Sequence, residues 1–243
     1  DGGQALALAA RIRRTSPELL RAGGCAAVFN DVDVDAIAHN DAPAFAWGQS
    51  AGLFFAETLD GKTRRACQVR CPTLVIPTGR ERAPTGVKLR VLLAEPFDAS
   101  TRAFAPRARY ELLSPSRNFL GDADVDVADL PLWISDGGAG DTTFVFDGEL
   151  KAIACRHVLG FRAMSTGGFN HPFAAPIAKH LAREASVTFV VDDESPIYRR
   201  ARTDQLLDPL VRTLQLAHRV HAISPKMSLH LMRGLVDDKT KSQ

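Results

Sequence analysis

Strand-like runs dominate this chain, and three helix-like segments interrupt them rather than alternate with them. Apolar or alternating runs fall at 66–70, 87–93, 108–112 and 187–191, each suited to a half-buried or buried strand. Residues 67–113 contain almost no uninterrupted helical stretch. A parallel sheet built from βαβ units needs a helix between successive strands. The pattern therefore predicts antiparallel meanders and an α+β fold. The clearest hairpin signal is the tract 142–154, where TTFVF is followed by Asp147-Gly148 and then ELKAIA. An Asp-Gly pair supplies the positive φ angles of a type I′ turn.

Each of the three helices is amphipathic. Over 4–14, Ala5, Leu8, Ala9 and Ile12 form one stripe, and Gln4, Ala7, Arg11 and Arg14 form another. Ser16-Pro17-Glu18 then restarts a helical turn that Gly23-Gly24 stops. Over 173–185 the apolar face is Ala174, Ile177, Ala178, Leu181 and Ala185, with Lys179, His180 and Arg183 opposite. Over 205–220, Leu207, Leu210, Val211 and Leu214 face inward, and Arg212 and Arg219 lie on the polar side.

With 243 residues the chain has room for one large domain or two of about 120. No run approaches the roughly 18 apolar residues of a membrane span, and the first residues lack the pattern of a secretory signal. A net charge of +2 is too small to mark a nucleic-acid binder by composition, though it leaves room for one basic face. Cys25, Cys67, Cys71 and Cys155 form no disulfide framework, which suits a reducing, intracellular compartment. Only Cys155 with His157 comes near a second zinc-ligand pair, and no metal or cofactor is expected. Residues 114–140 hold Pro115, Pro131, five aspartates between Asp122 and Asp136, and Gly137-Gly138-Ala139-Gly140. That composition reads as a connector, dividing the chain into 1–135 and 136–243.

Residues 28–55 resemble the N-terminal meander of PCNA-like DNA sliding clamps, and most closely the Rad-nine-type subunit of the nine-one-one checkpoint clamp. The matching tracts are AAVFN, DVDVDAIAHN, PAFAWGQ and Leu53-Phe54-Phe55, followed by ACQVRC. Further on, FAAPIAKHLAREASVTFVVDDESPIYRRA resembles a clamp helix, strand, turn and strand, and RARYELLSPSRNFLGDADVDVADLPLWI a last strand entering the connector.

The resemblance implies a DNA clamp of two similar halves, with antiparallel sheets outside and helices lining a central hole. It implies a non-enzymatic nuclear protein that joins two related subunits in a heterotrimeric ring. A clamp loader would place that ring on double-stranded DNA without sequence preference, where it would recruit damage-signalling and repair proteins. Arg11, Arg13, Arg14, Lys179, Arg183, Arg212 and Arg219 would hold the phosphate backbone, although a basic stripe on a helix is ordinarily just solvated. Asp122, Val125, Leu130, Leu132 and Trp133, in the connector, would dock partner peptides.

Two other classes stand beside the clamp. Asp31, Asp33 and Asp35 alternate, so a strand would point all three to one side. Asp31 and Asp33 could serve a haloacid-dehalogenase-like, Mg²⁺-dependent phosphatase, in which one carboxylate attacks phosphorus and a second moves the proton. Thr78-Gly79, Asp192-Asp193 and Lys179 would be its companions. A β-rich structural or capsid protein is the third class. The chain lacks HExxH, GxSxG and GxGxxG patterns, which favours binding over catalysis.

Overall fold

The computed structural model describes residues 2–28, 35, 38–39, 46, 54–59, 62–67, 73–92, 110–113, 125–130, 132–167, 174–193 and 203–235. The chain forms two units, 1–78 with 84–116 and 79–83 with 117–243.

Unit 1 opens with α1 (Gly2–Ile12) and α2 (Pro17–Ala22). The restart read from the sequence is present, because the Ser16 hydroxyl accepts a hydrogen bond from the Leu19 amide at 3.0 Å and Pro17 occupies the first turn, where its missing N–H costs nothing. Strands β1 (Ala26–Val28), β4 (Thr73–Arg80), β5 (Ala83–Val91) and β6 (Tyr110–Leu113) follow, with β2 (Phe54–Leu59) and β3 (Lys62–Cys67) forming a separate antiparallel pair. β1 pairs antiparallel with β4, and β5 with β6. Residues 73–79 of β4 are all buried, and Gly79-Arg80, at its end, belong to unit 2.

Unit 2 contains β7 (Trp133–Ile134), β8 (Ala139–Phe146), α3 (Glu149–Leu159), β9 (Phe161–Ser165), α4 (Ala174–Leu181), β10 (Ser186–Asp193), α5 (Thr203–Ile223) and β11 (Ser228–Leu235). Its strand order is β11-β10-β8-β9-β7. β8 pairs parallel with both β9 and β10, and β10 pairs parallel with β11. Among the described strands of unit 2, β7 alone runs antiparallel, beside β9, while it lies parallel to Gly79-Arg80 of β4.

The hairpin expected at 142–154 is a strand followed by a helix. Gly148 has φ −132, an extended conformation, and starts the helix instead of turning a hairpin. Beyond it Glu149, Ala152, Ile153 and Cys155 are buried along one side of α3, a helical rather than a two-residue spacing. Gly160, at φ 77, closes the helix with its N–H donating to the Arg156 and Cys155 carbonyls, and the left-handed conformation there suits glycine. The period was visible in ELKAIACRHVL, but the Asp-Gly pair outweighed it.

This correction changes the fold class. A chain passing from β8 through α3 to β9, and later through α4 to β10 on the other side of β8, is a βαβ arrangement. It is not two clamp halves built from antiparallel meanders. Right-handed crossovers in opposite directions place their helices on opposite faces of the sheet. On one face Ile177, Ala178 and Leu181 of α4 and Leu216 and Val220 of α5 pack with Val145, Val187 and Phe189 of the strands. The helix expected at 205–220 is α5, and that at 173–185 is the shorter α4.

Candidate functional site

The strand order of unit 2 creates one distinctive place. From β8 the chain moves to one side for β9, then returns across β8 for β10. In open sheets of parallel strands, the carboxyl ends at such a reversal leave a crevice where ligands bind. Phe146 at the end of β8 pairs with Val190, so the next residues of both strands emerge at the same edge. Those residues are Asp147, Gly148 and Glu149 after β8, and Asp192-Asp193 closing β10.

Asp147 is mostly buried, with 18% of its side chain exposed, and its Oδ1 accepts a 2.6 Å hydrogen bond from Lys151 Nζ, one turn into α3. Glu149, in the first turn of α3, is 2% exposed. Gly148 precedes the helix and makes no side-chain cap hydrogen bond. The end of β9 is tied to the same place. Thr166 donates to the Phe146 carbonyl from its amide at 2.8 Å and from its hydroxyl at 3.2 Å, holding the Thr166-Gly167 turn beside Asp147. No three side chains of His, Cys, Asp or Glu stand ready as a metal cage among the described residues. Asp192 and Asp193 are placed here by the backbone of β10.

A cavity of about 190 Å³ opens at the opposite, amino-terminal end of these strands, lined by Arg80, Asp136, Thr143, Arg162, His180 and Glu184 among others. Its charges are matched in pairs. Arg162 meets Glu184 at 3.4 Å and Arg80 lies 3.8 Å from Asp136. Burial pushes His180 below its ordinary value, and Arg80 and Arg183 add to that push against the opposing pull of Glu184 and Asp126. Nearby, Glu81 gathers Arg156 at 3.3 Å, His157 at 3.2 Å and the Asp136 amide at 3.0 Å. These contacts are those of a structural ion-pair network.

The residues singled out from the sequence lie elsewhere. Arg11 is exposed at the end of α1, with Arg13 and Arg14 just beyond it in unit 1. In unit 2, Lys179 and Arg183 are exposed at the end of α4, Arg219 is exposed on α5, and Arg212 is half-buried. The topology puts Lys179 and Arg183, immediately before β10, at the amino edge and away from the carboxylates. Leu130, Leu132 and Trp133 are buried at 0%, 1% and 1% exposure, and Val125 packs against the same core. Their side chains fill unit 2 and offer no docking surface. Asp122, Asp31 and Asp33 lie outside the described residues, whereas Asp35 is helical and meets Arg65 at 3.3 Å. Cys155 is buried in α3 with its thiol pushed up by that burial, and His157 beside it contacts Glu81.

Sequence reasoning missed Asp147, Glu149 and Lys151. The signal was a repeated one: TTFVF ending in an acidic pair of residues, and VTFVV ending in another. Asp192-Asp193 was noted as a companion of Asp31, whereas the register of β8 and β10 places it at the same sheet edge as Asp147.

Among solved structures, the chain is similar to the E. coli primase catalytic core, with a TM-score of 0.51 and 18% sequence identity over 98% of this chain and 71% of that one. The likeness is one of fold. A DNA primase domain from Pseudomonas aeruginosa gives a TM-score of 0.49 at 16% identity, covering 93% of this chain and 62% of that one. No protein-family model and no curated protein matches the chain.

A primase-like fold with a mixed sheet, parallel through β9, β8, β10 and β11, overturns the sliding clamp, and with it the checkpoint role, the heterotrimeric ring and the clamp-loader partner. The phosphatase and capsid alternatives gain no support from that likeness. The likeness, being one of fold, does not bear out the expectation of a non-enzyme.

Proposed function

We propose that the chain is the catalytic part of a divalent-metal-dependent nucleotidyltransferase, which joins ribonucleotides into a primer on a single-stranded DNA template. The observation that carries this reading is the placement, by the backbone, of Asp147 and the Asp192-Asp193 end of β10 at the same edge of the parallel strands β8 and β10, in a fold that resembles a primase catalytic core.

The donor chemistry fits a hard cation. The candidate ligands are carboxylate oxygens, with no thiol or imidazole among them. Asp147 already holds a positive charge, the Lys151 ammonium at 2.6 Å. A divalent cation such as Mg²⁺ at this edge, with Asp147 as one carboxylate ligand, would supply neutralisation of phosphate charge and activation of an attacking hydroxyl.

The remaining features support handling of a polyphosphate. The first turn of α3 presents backbone amides at this edge, where the helix dipole favours an anion. Thr166 ties the end of β9 to Phe146 at the end of β8. Transfer of a nucleotidyl group asks mainly for positioning and charge stabilisation, and rigid strand ends provide the former.

The test is incorporation of labelled ribonucleotides on single-stranded DNA with and without Mg²⁺ or Mn²⁺. Metal-dependent short RNA products that Asp147→Asn abolishes support the reading. Their absence from the wild-type chain under all of these metals contradicts it.

A further inference from the structure

The cavity of about 190 Å³ at the amino-terminal end of the unit 2 strands sets cations and carboxylates at different depths. Arg80 and Arg162 keep 44% and 43% of their side chains exposed, whereas their partners Asp136 and Glu184 keep only 16% and 19%. The carboxylates are further engaged by neutral donors. Asp136 Oδ2 accepts from the Arg82 amide at 2.6 Å, and Glu184 Oε2 accepts from the Thr143 hydroxyl at 2.9 Å. Each guanidinium carries several N–H donors, but a single nitrogen of each approaches its carboxylate, at 3.8 and 3.4 Å. The longer of these separations exceeds a hydrogen bond. His180 lines the same cavity, and among the described residues neither of its ring nitrogens has a hydrogen-bond partner. We propose that this cavity binds a small oxyanion of the phosphate class, held by Arg80 and Arg162 with His180 as a third donor, at a site separate from the carboxylate edge.

The planar fork of a guanidinium matches the oxygens of a phosphate group, and the cavity is far larger than one water requires. Asp136 and Glu184 hold the two forks in place without using up their donors. The proton on His180 follows the anion. In the chain alone, burial, then Arg80 and Arg183, keep its value below 6.5 against Glu184 and Asp126. Arg162 and Asp136 complete the charges around the cavity. An anion beside the ring favours its charged form. Binding therefore takes up a proton, and it strengthens as pH falls through the raised value of the complex.

Isothermal titration calorimetry of the full chain, freed of divalent metal, tests this apart from the carboxylate edge. Sulfate is the probe for pH, because it keeps its charge from pH 8 to pH 6 and phosphate does not. Wild type should bind sulfate several-fold more tightly at pH 6 than at pH 8. Arg80→Gln and Arg162→Gln should each weaken binding on the order of tenfold, with the far-ultraviolet circular dichroism unchanged. His180→Gln should remove the pH dependence while leaving the affinity at pH 8 within about twofold of wild type. Inorganic phosphate and adenosine monophosphate, compared at pH 6, separate two sources of the anion. An affinity for the nucleotide no greater than for phosphate marks a free anion, and a greater one marks a phosphate group carried on a larger molecule. Absence of sulfate and phosphate binding by wild type at millimolar concentration overturns the proposal. So does binding that neither arginine variant weakens, or a pH dependence that survives in His180→Gln. With no metal present, each of these failures leaves the functional reading above standing.

Discussion

Phe146 and Val190 are paired in parallel register across β8 and β10, so Asp147 and Asp192 leave neighbouring strands at one edge of the sheet. Residues distant in sequence are placed at that edge by topology, not by a local motif. Asp147→Asn keeps the shape of the side chain and removes its charge. Metal-dependent nucleotide incorporation should drop on the order of a hundredfold, while the far-ultraviolet circular dichroism stays that of the wild type.

His180 gives the fold a pH dependence of definite sign. Burial, then Arg80 and Arg183, lower its folded value below the ordinary 6.5, against Glu184 and Asp126. The unfolded chain therefore binds a proton first as pH falls through 6.5, and stability declines from there down to the folded value. Thermal unfolding at pH 7 and at pH 5 should show this loss in the wild type. In His180→Gln the loss should be smaller.

Gly138 holds a place that no side chain can share. Its φ is +150, and an added Cβ would run into the backbone of Phe161 and Arg162. Backbone cannot yield as a flexible side chain can, so Gly138→Ala should destabilise the protein by about 2–4 kcal/mol, read by denaturant unfolding. Gly137→Ala, where a Cβ meets nothing within 4 Å, should cost less than about 1 kcal/mol.

Leu181, 0% exposed, ends α4 within the core that also holds Ile177, Phe189 and Leu216. Leu181→Ala removes apolar volume from the layer that fixes α4 ahead of β10. A loss of about 2–5 kcal/mol is expected, measurable as a lowered denaturation midpoint with an unchanged slope.

The helix positions were legible in the sequence because burial imposes a period of 3.6 residues, and Ile177, Ala178 and Leu181 kept their expected face; in α5, Val211 and Leu214, expected inward, are exposed, and Leu216 and Val220 are buried instead. The strand at Val187–Val191 was legible for the same kind of reason. Strand direction was not. An antiparallel meander and a parallel βαβ unit both present short apolar runs, and only the helix between them differs. At Asp147-Gly148 the local turn signal and the helical spacing of Ala152 and Ile153 pointed in opposite directions. The helix prevails because it buries Ala152, Ile153 and Cys155, a gain a two-strand hairpin cannot match. Trp133 and Leu132 were placed on a surface because aspartates surround them, yet those apolar side chains fill the core while Asp126 and Asp129 remain exposed. The carboxylate site depends on strand order, which no single stretch of sequence encodes.

The most direct measurement is anomalous diffraction from crystals of the protein soaked in Mn²⁺. A peak between the Asp147 carboxylate and the Asp192-Asp193 end of β10, missing in Asp147→Asn, is the predicted result. An ordered Mn²⁺ peak elsewhere, or none at this edge in well-diffracting crystals at millimolar metal, would contradict it.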